Sequence, residues 1–250
     1  MILNVLLYSS LAGVATIAGI MLLRLNEDRA LRYSHFLNSF AAGIILSVAF
    51  FHQLPESIEI SSPEIALAFT AVGFVILYLL ETVLVFHSGV EIHFHGTGED
   101  DRKHARALVG FSGLLFHSLL DGVVIGIGFE IDEHLGFLTA LGVILHEVPE
   151  GTTTYSILMG TFGKKAALWM SLSVAVATPV GAVLSLAAIP GMSESTIGGL
   201  LAVAAGSFLY VGASDLLPET HGRNGIQNAA CVLGGGGLIY IIGRILHGGH

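Results

Sequence analysis

The sequence predicts an all-α protein that crosses a membrane eight times, and three observations support this prediction. Charged residues make up 12% of the 250 positions, about half of the roughly 25% that is usual in soluble domains. The ranges 166–193, 195–214 and 224–243 contain no Asp, Glu, Lys or Arg, and each is long enough to cross about 30 Å of hydrocarbon as a helix. The runs are also too continuously apolar for the alternating strands of a membrane barrel. The range 1–250 is therefore predicted to form a single transmembrane domain.

Eight spans follow from the distribution of apolar residues along the chain. The first has no basic residue before it and is long enough to span, which distinguishes it from a signal peptide. The third, fourth and fifth spans contain acidic residues and are less uniformly apolar. The predicted spans are 2–23, 36–55, 65–87, 106–128, 135–160, 166–188, 196–217 and 226–246.

Basic residues are concentrated on one side of these predicted spans. Nine of the ten lie in the connections after the odd-numbered spans, and Arg244 lies on the other side. Because Lys and Arg mark cytoplasmic connections, both termini are predicted to lie outside the cytoplasm, in a multi-pass protein of the plasma membrane. The opposite connections carry acidic residues and no Lys or Arg, and an acidic outer mouth would concentrate cations.

The second and seventh predicted spans are related by an internal repeat. The segment AAGIILSVAFFHQLPES (41–57) aligns without gaps on AAGSFLYVGASDLLPET (204–220), with identical residues at eight positions. Because the two spans are five helices apart, they cross the membrane in opposite directions. We therefore expect an inverted repeat of helices 1–3 and 6–8, an arrangement found in many secondary transporters.

Composition also excludes two classes of protein. A formal net charge of −9 is opposite in sign to what nucleic-acid binding requires, so no nucleic-acid partner is expected. The single cysteine, Cys231, excludes a disulfide scaffold.

The fourth and fifth spans carry ionisable residues at matched spacing. His117 and Asp121 are four residues apart, and so are His146 and Glu150, with Glu147 three residues before Glu150. Residues at these spacings share one face of a helix. Two facing helices would bring two imidazoles and three carboxylates together, and ionisable groups inside a membrane indicate a functional site.

The donor types in this cluster favour a transition metal. Closely packed carboxylates repel one another unless a cation neutralises them. Imidazole with carboxylate suits Zn²⁺ first, with Fe²⁺, Mn²⁺, Co²⁺ or Cd²⁺ as other candidates, whereas Ca²⁺ and Mg²⁺ prefer oxygen ligands alone. Ser118 would add a hydroxyl or position a water. Pro149 removes the hydrogen bond that the Leu145 carbonyl would otherwise accept and bends the helix beside the cluster.

Three other interpretations of the cluster stay open from the residues alone. The side chains would also serve as a structural polar network between helices. HEVPE resembles the beginning of the H-E-x-x-H motif of zinc enzymes, although its last position is Glu150. A proton-coupled cation transporter would use the carboxylates as proton carriers, but it accounts less well for the histidines.

HSLLDG (117–122) and HEVPEG (146–151) resemble the paired helix-four and helix-five signatures of the ZIP (Zrt/Irt-like protein) family of divalent metal transporters. The HQLPE and DLLPE segments and the predicted topology are similar to that family over essentially the whole chain. The resemblance implies a transporter and not an enzyme, with uptake toward the cytoplasm by an elevator-like movement of spans one, four, five and six. It also implies metal ligands at His117, Asp121, His146, Glu147 and Glu150. With Ser118, for the hydroxyl that it would add, six residues are predicted to form the metal site.

The chain departs from the family pattern at two positions. Many members have Asn after the helix-four histidine, where this chain has Ser118. Members that resemble the bacterial binuclear type carry Glu-Pro in span six, where this chain has Thr178-Pro179. We therefore expect one well-formed metal site, with the second site weak or absent.

The third connection is predicted to be a cytoplasmic, histidine-bearing loop over 88–105. His-rich tracts bind zinc loosely, which would suit metal hand-off, but the spacing is not that of a closed zinc site, and a solvated loop is an equal alternative. The sequence leaves open whether two copies form a homodimer. The predicted partners are a divalent metal cation and the lipid bilayer.

Overall fold

The computed structural model describes residues 1–87, 99–218 and 225–247, and all regular structure in these ranges is helical. This confirms the predicted all-helical class. Two helices, α3 and α7, are joined to π-helical turns at Ala49–Gln53 and Val211–Leu216. The α-helices are α1 (Ile2–Leu25), α2 (Glu27–Val48), α3 (Leu54–Ile60), α4 (Pro63–His87), α5 (Glu99–Ile131), α6 (Glu133–Ala188), α7 (Glu194–Tyr210) and α8 (Gly225–His247).

Six helical stretches in the described ranges are long and apolar enough to cross a membrane, and Pro63–Leu79 is a shorter apolar helix. The chain therefore has the character of a polytopic membrane protein. The six stretches are Ile2–Leu25, Arg32–Ile60, Gly110–Ile131, Glu133–Ala188, Glu194–Ser214 and Gly225–Leu246.

Helix α6 reverses direction at Gly163. At about 1.5 Å per residue, a continuous helix of its 56 residues would be roughly 84 Å long. Gly163 instead has φ 77° and ψ 165°, a backbone conformation outside the helical region. The Thr178 hydroxyl donates a hydrogen bond to the Glu147 carboxylate at 2.7 Å, so the two halves of α6 lie side by side. We call them the N-terminal arm (133–162) and the C-terminal arm (164–188).

The start of the N-terminal arm is fixed by a side-chain cap. Asp132 Oδ2 accepts hydrogen bonds from the backbone N–H groups of His134 at 2.7 Å and Leu135 at 3.0 Å. This cap satisfies donors that have no partner within the helix, and Glu133 in the first turn adds a favourable charge at the positive end of the helix dipole.

Helices α1 and α5 pack tightly against both arms of α6. A Cβ atom at Gly19 of α1 would overlap the carbonyl oxygen of Val148, and one at Gly181 would overlap that of Leu119 in α5. Backbones approach this closely only where a side chain is absent, which is a common way to associate helices in lipid. A second group pairs α2 with α8 and α4 with α7. The N-terminal arm also contacts α2, which joins the two groups.

The π-helical turns lie at matching positions in the two repeat segments. Ala49–Gln53 aligns with 212–216, and each turn ends two residues before a proline, Pro55 or Pro218. The Leu54 N–H donates to the Ala49 carbonyl, five residues back. Because a proline ring clashes with the carbonyl four residues before it, the helix widens ahead of each proline.

The described helices correct one predicted boundary. Helix α5 begins at Glu99, so 99–105 are helical and not part of a loop. The acidic residues Glu99, Asp100 and Asp101 form its first turn, where negative charge stabilises a helix. The other predicted loop residues, 88–98, lie outside the described ranges, as do 219–224.

Candidate metal centre

Four predicted ligand residues converge between α5 and the N-terminal arm of α6. His117 and Asp121 lie on one face of α5, and His146 and Glu150 lie on the facing side of the arm. One ligand atom from each residue lies within 4.8 Å of the others. The i,i+4 spacing on two adjacent helices thus produces a group that is able to hold a metal ion.

Asp121 is at the centre of this group. Its Oδ2 atom lies 2.9 Å from His146 Nε2 and 3.3 Å from His117 Nε2. Glu150 Oε2 lies 3.6 Å from His117 Nε2 and 3.8 Å from His146 Nε2. Two imidazole nitrogens and two carboxylate oxygens therefore face a common point.

The group is largely shielded from solvent, although access is uneven. Side-chain exposure is 2% for Asp121, 3% for His146 and 8% for Glu150, and it rises to 15% for His117. The His117 Nε2 atom itself is buried, and within the described ranges no hydrogen bond satisfies it. A cation among these donors would satisfy that nitrogen and offset the cost of burying two carboxylates.

Neighbouring groups orient two of the four side chains. The His146 Nδ1 atom lies 3.0 Å from the Gly142 carbonyl oxygen. Because a carbonyl only accepts, Nδ1 carries a proton. Nε2 shares a hydrogen bond with Asp121 Oδ2 at 2.9 Å, and a metal ion at the centre would take the place of the proton between these two atoms. The Ser118 hydroxyl donates to Glu150 Oε1 at 2.8 Å, which leaves Oε2 directed toward the cluster. Phe208 of α7 contacts the His146 ring edge-on, with centroids 6.1 Å apart.

Comparison with known proteins identifies the family. The model of the family described as "ZIP Zinc transporter" matches residues 91–243, more than half of the chain. The chain belongs to the ZIP family. The paired motifs at 117–122 and 146–151 both lie inside the matched range.

Several zinc transporters resemble parts of this ZIP-family chain. Zinc transporter SLC39A7 of Mus musculus is 34% identical over 112 residues, which are 42% of this chain and 24% of that protein. Zinc transporter zipt-7.1 of Caenorhabditis briggsae is 33% identical over 106 residues, 41% of this chain and 27% of that protein. Zinc transporter ZIP4 of Homo sapiens is 34% identical over 103 residues, which are 41% of this chain and 16% of that protein. The chain spans about a quarter of the length of the first two relatives.

Glu147 is not one of the four converging residues. Its Oε2 atom accepts a hydrogen bond from Thr16 of α1 at 2.5 Å, and its Oε1 atom accepts one from Thr178 at 2.7 Å. All three side chains are fully buried. Of the six predicted ligands, the structure thus groups four, places Ser118 against one of them, and places Glu147 beside the group.

A cavity lies between α2 and the N-terminal arm, on the Gly163 side of Glu150 along the arm. Its volume is about 170 Å³, and it begins at Thr152 and Thr153, within one turn of Glu150. Five of its seven lining residues carry a hydroxyl or an amide: Ser34, Asn38, Thr152, Thr153 and Ser156. The cavity extends along the arm toward Gly163 and Lys164.

The same helix pair is closely packed on the other side of the centre. Gln53 Nε2 donates to Thr139 Oγ1 at 3.5 Å, and both residues are fully buried. Val48 contacts the arm at Gly142. The α2–α6 interface is therefore filled toward Asp132 and open toward Gly163.

Sequence reasoning missed several residues around the centre. Thr16 and Phe208 lie far from the motifs in sequence, and nothing in the sequence reports their proximity. Gly142 lies one helical turn before His146, and its role as the acceptor for the His146 ring was not predicted. The only available signal for Thr16 was its position as a polar residue in an uncharged helix. Thr178 was noticed because it replaces an acidic residue, but not as a partner of Glu147.

Proposed function

We propose that this ZIP-family chain transports divalent transition-metal cations across a membrane, with zinc as its principal substrate. The observation that carries the proposal is the convergence of His117, Asp121, His146 and Glu150 on one buried point between apolar helices. Its relatives are named zinc transporters. A buried site among membrane-spanning helices is where a transported ion would lose its hydration shell.

The donor set suits zinc in number and in type. Four donors, two nitrogens and two oxygens, match the four-coordinate sites that zinc prefers. Two ionised carboxylates would also neutralise a divalent charge, which lowers the cost of placing the ion in a low-dielectric environment. Ca²⁺ and Mg²⁺ are disfavoured, because they prefer more ligands and oxygen alone.

We infer that the chain crosses the membrane eight times, since the two arms of α6 supply two crossings and α4 supplies another. With the basic connections in the cytoplasm, both ends of the range 1–250 would then lie outside, and the plasma membrane is the proposed location. Matching π-helical turns at Ala49–Gln53 and Val211–Leu216 support an inverted repeat, because the same irregularity recurs at equivalent positions of both segments.

The proposed direction of transport is toward the cytoplasm. The cavity lined by Thr152, Thr153 and Ser156 lies on the Lys164 side of Glu150 along the arm, which is the side that the positive charges mark as cytoplasmic. Neutral hydroxyl and amide oxygens bind zinc weakly, so this lining favours release and rehydration of the ion over retention. Toward the opposite side, the buried side chains of Gln53 and Thr139 are in contact. These two features favour a site that opens toward the cytoplasm.

An intramembrane zinc enzyme is the less favoured alternative. In such an enzyme the glutamate after the first histidine acts as a base toward a metal-bound water. Here both oxygens of the equivalent residue, Glu147, accept hydrogen bonds, from Thr16 and from Thr178, and Glu147 is not one of the four residues whose ligand atoms converge. A general base must lie within hydrogen-bond reach of the proton that it removes.

The proposal is tested by zinc uptake into proteoliposomes that contain the purified chain. The unmutated protein should accumulate radioactive zinc, while His146→Ala and Glu150→Ala should reduce uptake to the level of protein-free liposomes. His134→Ala is the matched control, because this histidine contacts Asp132 at the end of the arm and not the metal centre. Absence of uptake by the unmutated protein, or full uptake by both centre variants, would contradict the proposal.

A further inference from the structure

Glu147 is a buried carboxylate whose surroundings differ from those of the four ligand residues. It accepts one hydrogen bond on each oxygen, from Thr16 at 2.5 Å and from Thr178 at 2.7 Å. Thr16 belongs to α1 and Thr178 to the C-terminal arm, while Glu147 itself belongs to the N-terminal arm. One side chain therefore connects three helical segments.

The two hydroxyls compete with any role for Glu147 as a metal ligand. A carboxylate that already accepts a strong hydrogen bond on both oxygens would have to break at least one of them to approach an ion at the centre. The fully buried Thr178 hydroxyl would then lose the Glu147 acceptor, and the Thr16 hydroxyl would keep only the Ala12 carbonyl of its own helix, at 3.1 Å. The ligand atoms of His117, Asp121, His146 and Glu150 already converge, and a cation among them would take the place of the hydrogen bond between His146 Nε2 and Asp121 Oδ2.

We propose that Glu147 is a positioning residue, which fastens α1 and the two arms of α6 to one another and thereby holds His146 and Glu150 in register with α5. The proposal rests on the proposed function, since it concerns how the transport site is held together. Thr16 and Thr178 are the hydrogen-bond donors to Glu147, and we call the two hydrogen bonds among these three residues the tie. Glu147 is then not a ligand in the loaded site.

Packing around the tie supports a rigid unit at this position. Gly19, one turn after Thr16 along α1, lies against the Val148 carbonyl, and Gly151 of the arm lies against the Thr16 carbonyl. The backbones of α1 and the arm are thus in direct contact on both sides of Glu147. A tie between segments that are already this close fixes the rotation of the arm, and rotation determines where His146 and Glu150 point.

The positioning role and a ligand role predict opposite results for Glu147→Gln. Glutamine keeps the length of glutamate, and its oxygen and NH₂ group pair with one hydroxyl as acceptor and with the other as donor. Glu147→Gln should therefore keep zinc flux and zinc affinity within about threefold of the unmutated protein. Glu150→Gln is the matched variant on the same helix, and it should lose both because an amide replaces a ligand carboxylate.

Removal of the hydroxyls tests the tie from the other side. The double variant Thr16→Val, Thr178→Val should lower the maximal zinc flux about tenfold, because it leaves a buried carboxylate without donors. The single variant Thr178→Ser keeps the hydroxyl that donates to Glu147, so it should retain this contact. Thr154→Val is the control: this threonine is fully buried, and its hydroxyl has no hydrogen-bond partner within the described ranges.

Cobalt provides a readout that does not depend on transport. The ligand-field spectrum of Co²⁺ bound to the detergent-purified protein should be unchanged in Glu147→Gln. It should change in Glu150→Gln, which loses a ligand, and in the double threonine variant, in which His146 and Glu150 are no longer held in register. A changed spectrum, weaker metal binding or lost flux in Glu147→Gln would overturn the positioning role, and so would unreduced flux in the double variant. Failure of the unmutated protein to move zinc would instead refute the proposed function, and the cobalt spectra would still decide whether Glu147 is a ligand.

Discussion

Ser118 shows how a neutral side chain sets the geometry of a neighbouring ligand. Its hydroxyl donates to Glu150 Oε1 at 2.8 Å, so the other oxygen of Glu150 is the one that faces His117 and His146. From the sequence, Ser118 was predicted to add a hydroxyl ligand to the metal site or to position a water there. The structure supports a different use of the same hydroxyl, as the group that orients Glu150.

Ser118→Ala should weaken zinc binding by about tenfold, because loss of a hydrogen bond to a ligand carboxylate typically costs ten- to a hundredfold in metal affinity. Isothermal titration of the detergent-purified protein measures this change. Ser112→Ala, one to two turns earlier on α5, is the control, since its hydroxyl donates only to the Leu108 carbonyl of its own helix. Unchanged affinity in Ser118→Ala would show that Glu150 is held in place without it.

The motif spacing predicted which residues would group, but it did not predict the orientation of Glu147. Positions four apart point the same way on a helix, which is enough to bring His117 with Asp121 and His146 with Glu150. Glu147 is rotated by about 100° from His146 around the arm, so it faces either the centre or α1. Its partner Thr16 is 131 positions away, and no local pattern reports a contact over that separation.

At the scale of elements, Gly163 determines the shape of α6. Its φ of 77° with ψ of 165° is a combination that essentially only glycine adopts. The sequence predicted separate spans at 135–160 and 166–188, and the reversal at Gly163 lies between them. This was predictable because Lys164 and Lys165 interrupt two apolar runs, and charged residues avoid the membrane interior.

Gly163→Ala should destabilise the chain by about 1–3 kcal/mol, the usual cost of a side chain in a backbone conformation reserved for glycine. The expected observation is a lower thermal unfolding temperature in detergent. Gly160→Ala is a closely matched control, because a Cβ atom at either position meets no atom within 4 Å, while only Gly163 has a positive φ. Gly160→Ala should be neutral or mildly stabilising, since alanine favours a helix. Equal effects of the two substitutions would contradict the assigned backbone conformation.

The π-helical turns were not predicted, although the repeat that contains them was. Sequence matching found the shared Leu-Pro-Glu endings at 54–56 and 217–219 but carried no information on the width of the preceding turn. The turns depend on whether the carbonyls ahead of Pro55 and Pro218 find donors five residues on, which the Leu54 and Leu217 N–H groups provide. This is a property of the folded backbone and not of residue type alone.

At the scale of the whole molecule, the distribution of charged residues and the packing of the helices both bear on where a cation would bind. The shortage of charged residues identified a membrane protein, and the few acidic residues inside it mark the place where a cation would rest. The packed contact at Gln53 and the polar cavity at Thr153 lie on opposite sides of that place along one helix interface. In the proposed transport cycle, a movement would exchange the packed and the open side of this interface.

The molecule as a whole should bind one zinc ion tightly in its membrane region. The four converging ligand atoms suffice for one ion, and a second site beside it would need a further free carboxylate. Glu147 is engaged by two hydroxyls, and Thr178 supplies a hydroxyl where the binuclear pattern has an acid. Elemental analysis after equilibrium dialysis should therefore give about one tightly bound zinc per chain, in a variant with His93 and His95 replaced by alanine to remove loose binding by the connection. Two ions of equal affinity in that variant would show that Glu147 exchanges its hydroxyl partners for a metal, and would contradict both the single site and the tie.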